Sequence, residues 1–242
     1  MTPNGLAGRF DAALYNSLGA VEDADRSVRA GGALDAFLLE AADILVAHDM
    51  QDRFGVSLLH KHMDCAAGER MIETPIVFQG QDALCTGPTG ARSVWNQAVP
   101  TVWALRGEGF APLEYTTDPL ATERLGQGAV AEGFLAAFRQ AVARSPIGSL
   151  MGLAVVTRRL YAEAAADQIG LEYSNLVPRS SIVVMADRHG RTERSVETRW
   201  AFKKSIDTVS ACVQQCLTIC HLGDGPGGHT GKQVHTPGRH KW

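Results

Sequence analysis

Apolar residues recur at mixed three- and four-residue spacing in two N-terminal segments, "LAGRFDAALYNSL" and "GGALDAFLLEAADILVAHDM", the second through Leu34, Phe37, Leu38, Ala41, Ile44 and Leu45. This is the helical period, and it predicts that the N-terminal fifth of the chain is helical. The period changes at Phe54. Phe54, Val56, Leu58, His60 and His62 alternate with Gly55, Ser57, Leu59 and Lys61, which predicts a strand whose apolar face ends in two imidazoles. "ERMIETPIVF", beginning at Glu69, predicts a second strand, and a loop over residues 63–68 that includes Gly68 makes a hairpin the simplest connection.

Further along, the Gly, Pro and Thr of "GQDALCTGPTGARS" predict a loop, and "VPTVWALRGEGFAPLEYTTDP" predicts two short strands around Gly107 and Gly109. "AVAEGFLAAFRQAVARSP" returns to helical spacing through Val130, Phe134, Leu135, Phe138 and Val142, with Pro146 just beyond its end. "LMGLAVVTRRLYAEAA" fits helix and strand equally. "SIVVMADR" and "ERSVETRWAF" predict a strand pair turning at "HGRT". Cys212, Cys216 and Cys220 in "ACVQQCLTICH" fall at i, i+4 and i+8, one stripe of a helix.

Together these elements predict an α+β fold: N-terminal helices, a mixed or antiparallel sheet containing the His-x-His hairpin, and a Cys-bearing C-terminal helix. Residues 222–242 are rich in Gly and His and nearly free of aliphatic side chains, so they cannot build a core, and the expected division is a single domain over 1–221 with a tail over 222–242. With 45% hydrophobic and 20% charged residues and a formal net charge of -3, the composition is that of an ordinary globular chain and favours neither nucleic acid nor an anionic membrane as partner. No N-terminal signal and no membrane-length apolar run is visible, and the 5 cysteines are not spread as a disulfide framework, so a soluble, cytoplasmic protein with reduced thiols is expected.

The chemistry with the best prospects is metal binding. On a strand, His60 and His62 would lie some 6 to 7 Å apart on one face, and the hairpin would bring Glu69, or Glu73 in another register, opposite His62. Two imidazoles and a carboxylate are the donor set of non-haem iron centres and of catalytic zinc with an open position. A cupin would place its Glu closer behind the His pair than Glu69 is. An alternative set takes His62, Asp64 and His189 as ligands with Arg199 as a carboxylate clamp. The bland reading is that His60 and His62 are satisfied by neighbouring carboxylates or backbone groups and only fix the fold.

A second candidate cluster combines Cys216, Cys220 and His221 with His229 and His235 of the tail, a thiolate and imidazole set suited to structural zinc if the tail folds back. Core thiols beside a loose tail are its bland counterpart. Haem attachment, a phosphate loop and a hydrolase elbow fail on spacing: "CLTICH" has one residue too many between its cysteines, "GPGGHTGKQ" lacks the Ser/Thr and the following helix, and "GSLMG" has its serine one place early.

"FGVSLLHKH", then "GER", "VW", "FAPLEYTTDP" and "VETRWAF" resemble an uncharacterised, largely fungal protein family whose most distinctive piece is Gly-x-x-Leu-Leu-His-x-His. The resemblance implies that residues 54–221 form one unit; it carries no established reaction or cofactor. Three functional classes therefore stand: a metalloenzyme using zinc or iron at His60, His62 and Glu69; a non-catalytic protein stabilised by a Cys/His zinc site; and a metal-free domain that binds a small molecule or protein with Trp95, Trp103 and Tyr115 lining its pocket.

Overall fold

The helical period at Leu34 to Leu45 forms α3 (Ala33–Ala47), which follows α1 (Ala12–Asn16) and α2 (Val21–Arg29). In the computed structural model the described residues are 6, 8–127, 129–165, 167–174, 179–187, 195–204 and 212–221, with the backbone alone for 174, 203, 204, 212–217, 219 and 221. The expected tail, including His229 and His235, lies outside them.

Among the described residues ten strands follow the first helices: β1 (Phe54–Leu58), β2 (Arg70–Phe78), β3 (Gln81–Thr89), β4 (Val99–Arg106), β5 (Gly109–Thr116), β6 (Met151–Val155), β7 (Gln168–Ser174), β8 (Ser181–Asp187), β9 (Ser195–Lys204) and β10 (Cys212–His221). Four helices intervene: α4 (Arg92–Trp95), α5 (Pro119–Gly126), α6 (Glu132–Arg144) and α7 (Arg159–Ala162). The sheet closes into a barrel in the order β1-β6-β4-β5-β2-β3-β8-β7-β10-β9, with β9 returning to β1. It is mixed: β2 runs parallel to β5, and β10 parallel to β7. The α+β class expected from the sequence is the class observed.

The main apolar core joins the helices to the sheet. Phe37 of α3 meets Phe138 of α6 edge-on with ring centroids 6.3 Å apart, and Phe134 of α6 stacks on Phe54 of β1 at 5.7 Å. Trp103 is fully buried there, its indole N–H donating to the Leu6 carbonyl at 3.0 Å. It is a core residue and not the wall of a ligand pocket. A smaller apolar cluster packs Tyr15 of α1 against Leu59, Cys65, Met71 and Leu113.

Four local expectations are corrected. First, β1 and β2 form no hairpin. β1 pairs antiparallel with β6 and β9, and the chain leaves the strand at Leu59 because the next backbone N–H groups find partners on the N-terminal segment: Lys61 N–H donates to the Gly19 carbonyl at 3.0 Å and His62 N–H to the Tyr15 hydroxyl at 3.1 Å. Second, "GQDALCTGPT" contains β3, which pairs with β2 across a two-residue turn at Gln79 and Gly80, both at positive φ (52° and 83°). Third, β8 and β9 do not pair; β8 lies between β3 and β7, and β9 between β10 and β1. Fourth, the cysteine segment is strand β10 and not a helix, since it finds two ladder partners, β9 and β7.

Gly55 shows how tightly β1 is held. A Cβ at this position would stand 2.1 Å from the Trp200 carbonyl oxygen and 2.5 Å from Val156 Cγ1. Backbone is one of the two obstacles, so the clash cannot be relieved by a rotamer change. Gly55→Ala is therefore expected to cost about 2 kcal/mol or more, read as a lower urea midpoint at unchanged slope; an unchanged midpoint would mean that the β1–β9 seam is not packed as described.

Candidate metal centre

The alternation along β7 sorts its side chains between two environments. Ile169, Leu171 and Tyr173 enter the main apolar core, so Glu172 points to the opposite face of the sheet. Glu172 is only 4% exposed, and a carboxylate so placed must be paired. The same pocket is lined by Glu73 of β2, Thr86 of β3, Glu114 of β5, Arg199 of β9, Thr218 of β10 and the two histidines beyond β1. The parallel register of β10 on β7 sets Cys220 directly beside Glu172. A register shift in the β9–β10 ladder at Thr198 turns both Thr198 and Arg199 towards this space.

His60 and His62 converge there from the loop after β1, their ring centroids 4.8 Å apart. Ligating atoms of His60, His62 and Glu172 all lie within 4.8 Å of one another, a group that could hold a metal ion. The second nitrogens of both rings are held from behind. His60 Nδ1 lies 2.9 Å from the Leu58 carbonyl, which accepts its N–H and leaves Nε2 as a lone-pair donor. His62 Nε2 lies 3.1 Å from Glu114 Oε1, so that Nδ1 faces Glu172 Oε1 at 2.8 Å. Outer partners of this kind, a carbonyl for one imidazole and a carboxylate for the other, are those that orient metal-ligating histidines. The space at the centre is about 20 Å³, room for one water-sized body.

The electrostatics of the two rings differ. Burial, then the neighbouring His62, pushes His60 down to about 4, which keeps it neutral. Burial also opposes charge on His62, but Glu172 and then Glu114 override it and raise the ring to about 10. Burial likewise works against Glu114, while His62 and Arg199 hold its carboxyl below the usual range. Arg199 Nη2 stands 3.5 Å from Glu114 Oε2. Burial pushes the Cys220 thiol up, and its S–H donates to Glu172 Oε2 at 3.0 Å.

Of the residues proposed from sequence, His60, His62 and Arg199 line this pocket, and Cys220 lies against His60 and Glu172. Glu69 does not: its carboxylate accepts from Arg179 at 2.6 and 2.9 Å and from the Ala66 N–H at 2.7 Å, because the hairpin that would have carried it to His62 does not form. Its place is taken by Glu172 of β7, a strand that is not among those expected from the sequence. Glu73, the substitute carboxylate, lines the pocket but is held by Arg158, which is fully buried, and by the Thr116 hydroxyl at 2.9 Å. For Cys216 and His221 only the backbone is described. Trp95 lies under Arg70, whose guanidinium carbon is 4.5 Å from its ring and 5.3 Å from that of Tyr115, away from the histidines.

Among the described residues no helix is long and apolar enough to cross a membrane. No family model matches the chain, and no curated protein or solved structure matches it either.

In chelator-treated protein the two histidines act on stability with opposite sign. His60 falls from 6.5 to about 4 on folding, so between these values the unfolded chain binds more protons and stability drops as the pH is lowered. His62 rises from 6.5 to about 10, so its contribution is full below the unfolded value and is lost as pH climbs towards the folded one. The urea midpoint is thus expected to be highest near pH 6.5 and to fall on both sides, with His62→Gln flattening the alkaline limb. A midpoint that still rises from pH 7 to pH 9 would contradict the placement of His62 between Glu114 and Glu172.

Proposed function

We propose that this is a metal-binding protein that holds one divalent transition-metal ion through His60 Nε2, His62 Nδ1 and a Glu172 oxygen. The observation that carries the reading is the convergence of two imidazoles and a carboxylate within 4.8 Å, with the rear nitrogen of each imidazole already held by the Leu58 carbonyl or Glu114. At bond lengths of about 2.0–2.2 Å a tetrahedral ion needs such donors roughly 3.3 Å apart. Side-chain movements of about an ångström satisfy that requirement. Mixed nitrogen and oxygen donors suit zinc or ferrous iron.

The size of the central space favours an ion that fastens the fold over one that turns over an organic substrate. About 20 Å³ admits a water molecule and nothing much larger. An ion here ties the loop beyond β1 to β7, two strands separated in the sheet by β9 and β10. The competing reading is a metal-free ion-pair network, favoured by the short approach of His62 to both Glu172 and Glu114.

Elemental analysis after reconstitution with zinc under reducing conditions decides between them. About one equivalent per chain is expected in the wild type and in Glu69→Gln, with loss of most of it in His60→Ala and in Glu172→Gln. Chelation of the wild type is expected to lower the thermal midpoint by several degrees. No metal in any sample, with the same midpoint before and after chelation, sinks the metal reading and leaves the ion-pair network.

A further inference from the structure

Three nitrogen and oxygen donors leave one tetrahedral position to be filled. Cys220 is fully buried beside two of these donors: its Sγ lies 3.7 Å from His60 Nε2 and 3.0 Å from Glu172 Oε2. Zinc bonds of about 2.0–2.1 Å to nitrogen and 2.3 Å to sulfur set a tetrahedral N···S separation of roughly 3.6 Å. The His60–Cys220 distance already meets it. The Glu172–Cys220 contact has to open by about half an ångström, as it must when a hydrogen-bonded S–H···O pair becomes two ligands of one ion.

Charge points the same way. Glu73, Glu114 and Glu172 bring three negative charges into this buried cluster, and Arg158 and Arg199 bring two positive ones. A divalent ion on neutral imidazoles would leave one positive charge over. A Cys220 thiolate makes four negative against four positive, with nothing left over. Uncompensated charge in a buried pocket is costly, so the neutral assembly is the favoured one.

We propose that Cys220 is the fourth ligand of this ion, giving a closed zinc site of one thiolate, two imidazoles and one carboxylate. This deepens the metal reading above and rests on it. The S–H bond breaks, sulfur keeps the electron pair and donates it to the ion, and two protons pass to solvent, the one from Cys220 and the one that the His62 ring carries without the ion, so that Nδ1 is free to ligate; nothing is oxidised or reduced. Of the two candidate clusters in the sequence, Cys220 thereby joins the histidine pair.

Cobalt(II), added to the full chain anaerobically in place of zinc, separates the possibilities. Ligand-field bands of tetrahedral cobalt with a near-ultraviolet thiolate-to-cobalt charge-transfer band are expected in the wild type. The charge-transfer band should vanish in Cys220→Ser and persist in Cys65→Ser and Cys216→Ser, and zinc affinity of Cys220→Ser should fall by about tenfold or more. Ligand-field bands without charge transfer in the wild type overturn the role of Cys220 and leave the metal reading intact. A charge-transfer band that survives in Cys220→Ser assigns the thiolate to another cysteine and overturns it equally. No cobalt or zinc bound at all overturns both. Should Cys220→Ser not fold, X-ray absorption of the zinc-loaded wild type replaces it: one sulfur at about 2.3 Å supports the proposal and a shell of light atoms alone overturns it.

Discussion

Charge compensation in one buried pocket is the constraint on which this fold turns. Glu73 and Glu172 are 6% and 4% exposed, and Arg158 is fully buried. Desolvating such groups costs several kcal/mol each unless they are matched. The matching crosses the sheet: Glu73 of β2 meets Arg158 from the segment before α7, Glu114 of β5 meets Arg199 of β9, and Glu172 of β7 meets the His62 ring from beyond β1. Each partner comes from a different strand or loop, so the polar cluster can be satisfied in one register and in no neighbouring one. A slip of one residue in β7 would send Glu172 into the apolar core and Leu171 into the pocket.

That dependence explains what was legible in the sequence and what was not. The His pair stood out because His60 and His62 close an alternating apolar run, a local pattern. Glu172 did not. "QIGLEYS" does alternate, with Ile169, Leu171 and Tyr173 against Gln168, Gly170 and Glu172, but it is short and interrupted by Gly170, and the pairing with β8 and β10 that brings Glu172 to the histidines is not a local pattern. Glu69 was a reasonable carboxylate for a hairpin. The hairpin fails because backbone donors at Lys61 and His62 bond to Gly19 and Tyr15, contacts more than forty residues away.

The cysteine segment shows a different limit. Spacings of four place Cys212, Cys216 and Cys220 on one stripe of a helix, but four is also a multiple of the two-residue period of a strand. The same pattern therefore predicts one common face in either structure. What tips the balance is the tertiary setting: residues 212–221 find both β9 and β7, and Val213, Thr218 and Ile219 are β-branched, as a paired strand favours. Cys220 lies beside His60 and Glu172, but on a strand and not on the expected helix.

The location of the candidate ion relative to two short joints of the barrel gives its role a physical basis. Among the described residues β1 pairs with β9 through Val56 with Trp200 and Ser57 with Arg199, and β7 pairs with β10 from Gly170 to Glu172. These two short seams lie on either side of the β9–β10 ribbon, whose own pairing is as long as that of β2 with β3. Ligands from beyond β1, from β7 and from β10 straddle both seams. An ion held by them adds a tie across two short seams, and the free energy of coordination becomes free energy of closure. Without the ion, the His62 imidazolium between Glu114 and Glu172 performs a weaker version of the same task. It reaches the β1 loop, β5 and β7, while β10 is held by its ladders and by the Cys220 S–H donated to Glu172.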